Sequence, residues 1–206
     1  MASSNQTNLS IAGKEALLTS NALLSSGSII APAVAVATGF LPALAICIVF
    51  SLVTYITVAV CSFVPRRLVY TVRIILYTLV ASMVYVPVSL LMERIMPASL
   101  AALGIYAPLL ITNSLITVRT ESKFYRLKRS YMFELAAMYI LGYDIALLFF
   151  GTVRELLTNG GFFGVSFLPL TVPTASTVFG GFIILALLSA GFRSVIRFSQ
   201  KKAVAK

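Results

Sequence analysis

Few side chains in this chain could do chemistry, and their placement narrows what that chemistry is. Histidine is absent, and the only thiols are Cys47 and Cys61. Without a Cys-x-x-Cys spacing, the zinc and dithiol arrangements built on closely spaced ligands are excluded. Asp144 is the single acid within the apolar run from Leu135 to Val153, with Tyr139 and Tyr143 close by. A carboxylate inside such a run is costly, which makes it by default a candidate for ion or proton handling. The plainer alternative is an aspartate hydrogen-bonded to a tyrosine or to a neighbouring helix. Thr112, Asn113 and Ser114 interrupt another apolar run just after Ala107-Pro108, and Ala31-Pro32 opens a similar stretch earlier. These polar groups either line a small ion path together with Asp144 or satisfy backbone freed by a broken helix. Arg154 and Glu155 follow Gly151 and precede Asn159-Gly160. They read as an outer-surface pair, which contributes little, or as the anchor of a partner subunit. There is no nucleophile elbow, phosphate loop or pair of acids on one face, so a self-contained enzyme is not expected.

The elements that must position these residues are membrane helices. Hydrophobic residues make up 59% of the 206, against roughly 45–50% in soluble domains. The charged residues cluster. None falls between Ser28 and Val64, Ile74 and Met92, Ile95 and Val118, or Ala175 and Phe192. A span needs about 20 predominantly apolar residues, so these runs predict transmembrane helices. The net charge of +10 collects at Arg66, Arg67 and Arg73, in the loop from Arg119 to Arg129, and in the tail from Arg193. That is a topology signal rather than a nucleic-acid footprint, and it puts all three groups and both termini in the cytoplasm. Aromatics in the basic loop fit a headgroup-level belt facing membrane lipid.

Threaded through those assignments, the chain reads short segment, long helix, long helix, and then the same again with the directions reversed. Gly39 and Pro42 divide the first run, leaving residues 28–39, about 18 Å as a helix. Gly104 to Val118 would reach about 22 Å, and both fall short of a core of roughly 30 Å. The expected fold is therefore all-α: six transmembrane segments as two inverted three-helix repeats, each beginning with a half-helix. Paired interrupted segments of this kind point to a midplane site. The expected boundaries are a polar extension at 1–26, a membrane domain at 27–197 with repeats at about 27–100 and 101–197, and a basic cytoplasmic tail at 198–206.

Three stretches carry a resemblance: LGIYAPLLITNS at 103–114, with Arg119 and Glu121 after it; GTVRELLTNGGFFG at 151–164; and VRIILY at 72–77. In this order they resemble the small membrane subunits of the Rnf and Na⁺-translocating Nqr electron-transport complexes, in particular the E/D type. The resemblance implies a bacterial or archaeal cytoplasmic membrane and a related partner subunit of opposite topology, with other subunits of such a complex around the pair. It also implies half-helix prolines at Pro32 and Pro108, and family-motif or subunit-contact roles for Gly151, Arg154, Glu155, Asn159 and Gly160. In the resembled complexes an iron–sulfur centre lies between the four half-helices, with one cysteine from each. Here those positions read Ala31 and Ser114. Cys47 and Cys61, fourteen residues or about 21 Å apart on one helix, cannot converge on a cluster. The expectation is a non-catalytic subunit of an ion-translocating oxidoreductase that binds no cofactor alone and is structural or ion-conducting. The rivals are a cofactor-free transporter or channel on the same fold, and an assembly partner of a cysteine-bearing paralogue.

Overall fold

A computed structural model describes residues 23–24, 29–65, 68–113, 115–122, 129–162, 165–166 and 171–204. Most of the expected N-terminal extension, Arg66 and Arg67, Ser114 and the basic loop at 123–128 lie outside the described residues. Helix α1 is Ile30–Val36 and α2 is Phe40–Cys61; α3 is Tyr70–Ile95. Then come two short helices, α4 (Pro97–Leu103) and α5 (Tyr106–Leu109), and a π-helical turn, Leu115–Arg119, that runs into α6 (Thr120–Ser122). Helix α7 is Arg129–Asn159. A two-residue hairpin (Gly161–Phe162 with Val165–Ser166) and a 3₁₀ turn (Pro173–Ser176) lead to α8, Val178–Val204.

Among the described residues, four helices are long and apolar enough to cross a membrane: Phe40–Cys61, Tyr70–Ile95, Ser130–Asn159 and Val178–Phe198. The charge-free sequence of α2 makes it the hub, packed most extensively against α7 and α3. Over half of α2's apolar window is buried within the chain, against 17% for α3 and for α8. Those two flank the core and turn Met83, Leu90, Phe179 and Leu187 outward. An apolar exterior of that kind suits lipid or neighbouring membrane helices.

The order short, long, long recurs among the described residues, with the four long helices as the candidate spans and the short segments too short to cross as helices. At seven residues, α1 extends about 10.5 Å. The second short segment is not one half-helix. Gly104, at φ +47°, stops α4, and α5 lasts a single turn before the chain unwinds around Asn113. Pro32 and Pro108 sit in the first turns of α1 and α5, and Pro97 opens α4. Proline is tolerated there because its missing N–H belongs to a group with no partner inside the helix. Leu23 and Leu24, assigned to the polar extension by the sequence, are buried, and Ser189 Oγ donates to the Leu24 carbonyl at 2.7 Å.

Candidate functional site

The chain is interrupted twice; side chains of the long helix α7 hold the first interruption, and a side chain within the second holds that one. At the first, Gly151, Arg154 and Glu155 occupy one face of α7 at the i, i+3, i+4 spacing. Arg154 is fully buried, and all five of its N–H donors meet backbone carbonyls. Nε donates to Ala175 O at 3.0 Å, Nη1 to Val34 O at 2.6 Å and Ala37 O at 3.1 Å. Nη2 donates to Ser176 O at 2.9 Å and Thr177 O at 3.0 Å. The Phe150 ring lies under the guanidinium, 5.5 Å from centroid to Cζ.

This arrangement follows from helix ends. Val34 and Ala37 lie at the C-terminal end of α1, where carbonyls lack partners and the dipole favours a cation. The 3₁₀ turn before α8 and the residue after it, Thr177, supply the other three carbonyls. One residue on, Glu155 Oε2 accepts from the backbone N–H of Phe40, first residue of α2, at 2.7 Å. That is the positive end of the next helix, so the adjacent charges match the two facing ends of the break. Gly151 lets α7 approach closely: a Cβ there would sit 2.6 Å from Ala43 Cβ and 2.8 Å from Gly39 O. The surface placement read for Arg154 is thus corrected. It is an interior residue, whose burial is tolerated because five carbonyls left open at the two helix ends match its five donors. Asn159 is exposed and ends α7, and Gly160, at φ +64°, takes the left-handed turn that follows.

At the second interruption the agent is Asn113, buried and using both ends of its amide. Nδ2 donates to Leu110 O at 2.7 Å and to Thr54 Oγ1 of α2 at 3.1 Å, while Oδ1 accepts from Ile116 N at 2.9 Å. Of the two readings offered for these polar residues, Asn113 fulfils the second: it satisfies freed backbone. Thr112 is exposed and bonds Leu109 O at 3.4 Å. Beyond the π-helical turn, Glu121 accepts from Tyr77 Oη at 3.1 Å and forms an ion pair with Arg73, tying the end of this segment to α3.

Asp144 faces α2 as well. Ser51 donates its hydroxyl to Asp144 Oδ2, and the Cys47 thiol donates to the Asp144 backbone carbonyl at 3.6 Å. The Tyr143 ring packs against Phe50 at a tilt of 44°, with centroids 4.2 Å apart. Asp144 and Asn113 therefore attach to α2 at Ser51 and Thr54, three residues or about 4.5 Å apart along the axis. Of the four residues grouped as an ion path, the structure brings these two to neighbouring points, leaves Thr112 outward, and Ser114 is not described. Ser51 and Thr54 were missed by sequence reasoning. Their signal is the i, i+4, i+7 row of Cys47, Ser51 and Thr54 in an otherwise apolar helix.

The thiols are not arranged for metal. Cys47 and Cys61 are buried and free, and no group of three His, Cys, Asp or Glu side chains converges among the described residues. Ala31, exposed on α1, offers no ligand atom. The donor set does not fit an iron–sulfur centre within this chain.

Four apolar spans, with two broken segments held at helix ends inside the bundle, define a multi-pass helical membrane protein. The family follows from comparison: the chain belongs to the Rnf-Nqr family, whose model, described as an Rnf-Nqr subunit and membrane protein, matches residues 11–195. The E-type subunit of the Na⁺-translocating ferredoxin:NAD⁺ oxidoreductase complex of Acetobacterium woodii is 31% identical over 135 residues, 64% of this chain and 67% of that one. The D-type subunit of the Na⁺-translocating NADH-quinone reductase of Pseudoalteromonas translucida is 32% identical over 142 residues, 68% and 67% of the two chains. The E-type subunit of an ion-translocating oxidoreductase complex of Buchnera aphidicola is 26% identical over 191 residues and is covered to 84%, as is this chain.

Proposed function

We propose that this chain is a membrane subunit of an ion-translocating oxidoreductase complex, acting as scaffold or ion path and not as carrier of the iron–sulfur centre. The observation that carries the reading is the family match across residues 11–195 combined with a donor set that lacks thiolates at Ala31 and Ser114. The subunit pairs with a related membrane subunit of opposite topology and with further subunits of the complex, in a prokaryotic cytoplasmic membrane, both termini on the cytoplasmic side. Its two short-long-long units form inverted repeats, a reading supported by their shared order of elements and by the charge pattern. Any cluster at the subunit interface takes its ligands from the partner.

The test is iron content and reduced-state electron paramagnetic resonance of the assembly purified from native membranes on a tag on this chain. Flavin- or iron-containing partners that co-purify support the assignment. A chain that comes away alone, without iron or redox partner, sinks it. A second reading, a cofactor-free transporter on the same fold, is favoured by the unpartnered oxygen of Asp144 inside the bundle. Solute or ion flux by the purified chain alone separates the two.

A further inference from the structure

Asp144 stands fourteen residues from Ser130 and fifteen from Asn159, so its carboxylate is some 21 Å from either end of its span. Ser51, which donates to Oδ2, is equally central in α2. The second oxygen, Oδ1, is buried and has no hydrogen-bond partner; so is the hydroxyl of Tyr143, a residue with no solvent exposure. The ion pair found among the described residues joins Arg73 to Glu121 and does not involve Asp144. The titratable groups near the carboxylate are Cys47 on α2 and Tyr143 on α7 itself. Further off are Tyr139 on α7 and, on α2, Tyr55 and Cys61; the hairpin strands and the 3₁₀ turn carry none, and α8 carries none before Arg193. Arg154 is ten residues further along α7, about 15 Å away, with all its donors engaged.

An unpaired carboxylate in such a setting costs several kcal/mol or more, and a group so placed neutralises instead. A partner's side chain cannot do this, because Oδ1 is enclosed by this chain. A hard cation needs a shell of about six oxygens. The described surroundings offer the hydroxyls of Ser51 and Tyr143, then a thiol and the Phe50 ring, while Thr54 and Asn113, one turn along α2, are bonded to each other. A proton needs one oxygen. We propose that Asp144 is a proton-binding site at the middle of the bundle, carrying the proton on Oδ1. This rests on the ion-path reading above and names the ion handled at this position. On release the O–H bond of the carboxyl breaks heterolytically: the proton leaves, the electron pair stays on Oδ1, and Ser51 holds the charged form through Oδ2. Ser51 is a positioning residue.

The test is infrared difference spectroscopy on the assembly, or on the full chain in nanodiscs if it purifies alone. At neutral pH the wild type is expected to show the carbonyl stretch of a neutral carboxylic acid, shifted in D₂O, unchanged when sodium replaces choline, and lost on raising the pH. Asp144→Asn removes the band. Should that variant fail to fold, Asp144→Glu displaces the band and serves instead. In Ser51→Ala the band persists to higher pH, because the lost donor had favoured the charged form. A wild-type spectrum without the band at neutral pH, or a band that sodium abolishes, overturns the proposal. The band is read whether or not redox partners co-purify, so failure here leaves the subunit assignment standing, and the converse also holds.

Discussion

Replacing Arg154 with methionine tests the account of the first interruption. The substitution keeps much of the side chain's length and removes all five donors, leaving the carbonyls of Val34, Ala37, Ala175, Ser176 and Thr177 without these partners. An unsatisfied buried acceptor costs about 1–3 kcal/mol, so five would cost roughly 5–15 kcal/mol in sum. Against that stands the burial of the guanidinium charge, a penalty of several kcal/mol that the variant no longer carries. The net expectation is a loss of about 3–5 kcal/mol, the range for removing one side of a buried charged pair. For a chain of this size that lowers the melting temperature by about 6–20 °C. The chain carries its own reporters: Cys47 and Cys61 are buried, so a thiol-reactive dye added during heating in detergent records unfolding. Arg154→Lys, with three donors against five carbonyls, should melt between the wild type and Arg154→Met. If Arg154→Met melts within about 2 °C of wild type, or if Arg154→Lys melts no higher than Arg154→Met, the five bonds do not hold the break and the reasoning fails.

Three further outcomes follow from the same geometry and can be read in the same melting assay. Gly151→Val drives a side chain into Ala43 and the Gly39 carbonyl, an overpacking that should cost about 1–3 kcal/mol. Asn113→Ala abandons the Leu110 carbonyl and the Ile116 amide together, and should lose about 2–4 kcal/mol; an unchanged melt would mean that the turn holds itself. Glu155→Ala should lose about 1 kcal/mol, the ordinary value of a helix cap, while Glu155→Gln keeps an acceptor for the Phe40 amide and should lose less.

The long helices were legible in the sequence because charge-free runs of span length leave the backbone no other way to satisfy itself in lipid. The two interruptions were legible too, since Pro32, Gly39, Gly104 and Pro108 mark where helices start and stop. What Arg154 and Glu155 do was not. A charged dipeptide at the end of an apolar run looks the same in sequence whether it faces water or a buried helix terminus. Only the folded chain brings Val34 and Ala37, more than a hundred residues upstream, to the guanidinium. The same holds for Ser51 and Thr54, hydroxyls whose purpose appears only once Asp144 and Asn113 arrive from elsewhere. Hydropathy counts residues and not hydrogen bonds, so the unwinding of the second segment beyond Leu109, around Asn113, leaves no mark in the apolar run.

The first interruption is held from α7 and the second is tied to α2, and this bears on whether the first half-helix depends on the residue at position 31. Arg154 grips the C-terminal end of α1, at Val34 and Ala37, while Ala31 lies in its first turn and is exposed. The position that the resemblance marks for a cluster ligand therefore bears no part of the load that keeps α1 in place. A side chain there can change without a carbonyl or an amide losing its partner. Ala31→Cys should accordingly melt within about 1 kcal/mol of wild type, a shift of some 2–4 °C at most. Arg154→Met and Asn113→Ala, which strip backbone carbonyls and an amide of their partners, should unfold the chain far sooner. If Ala31→Cys were instead as damaging as Arg154→Met, the first turn of α1 would be packed against something essential, and exposure would be a poor guide to that face. If it is tolerated, retention of the fold in this family is no measure of retention of the redox centre, and a thiol can be restored at this position to ask whether iron returns with it.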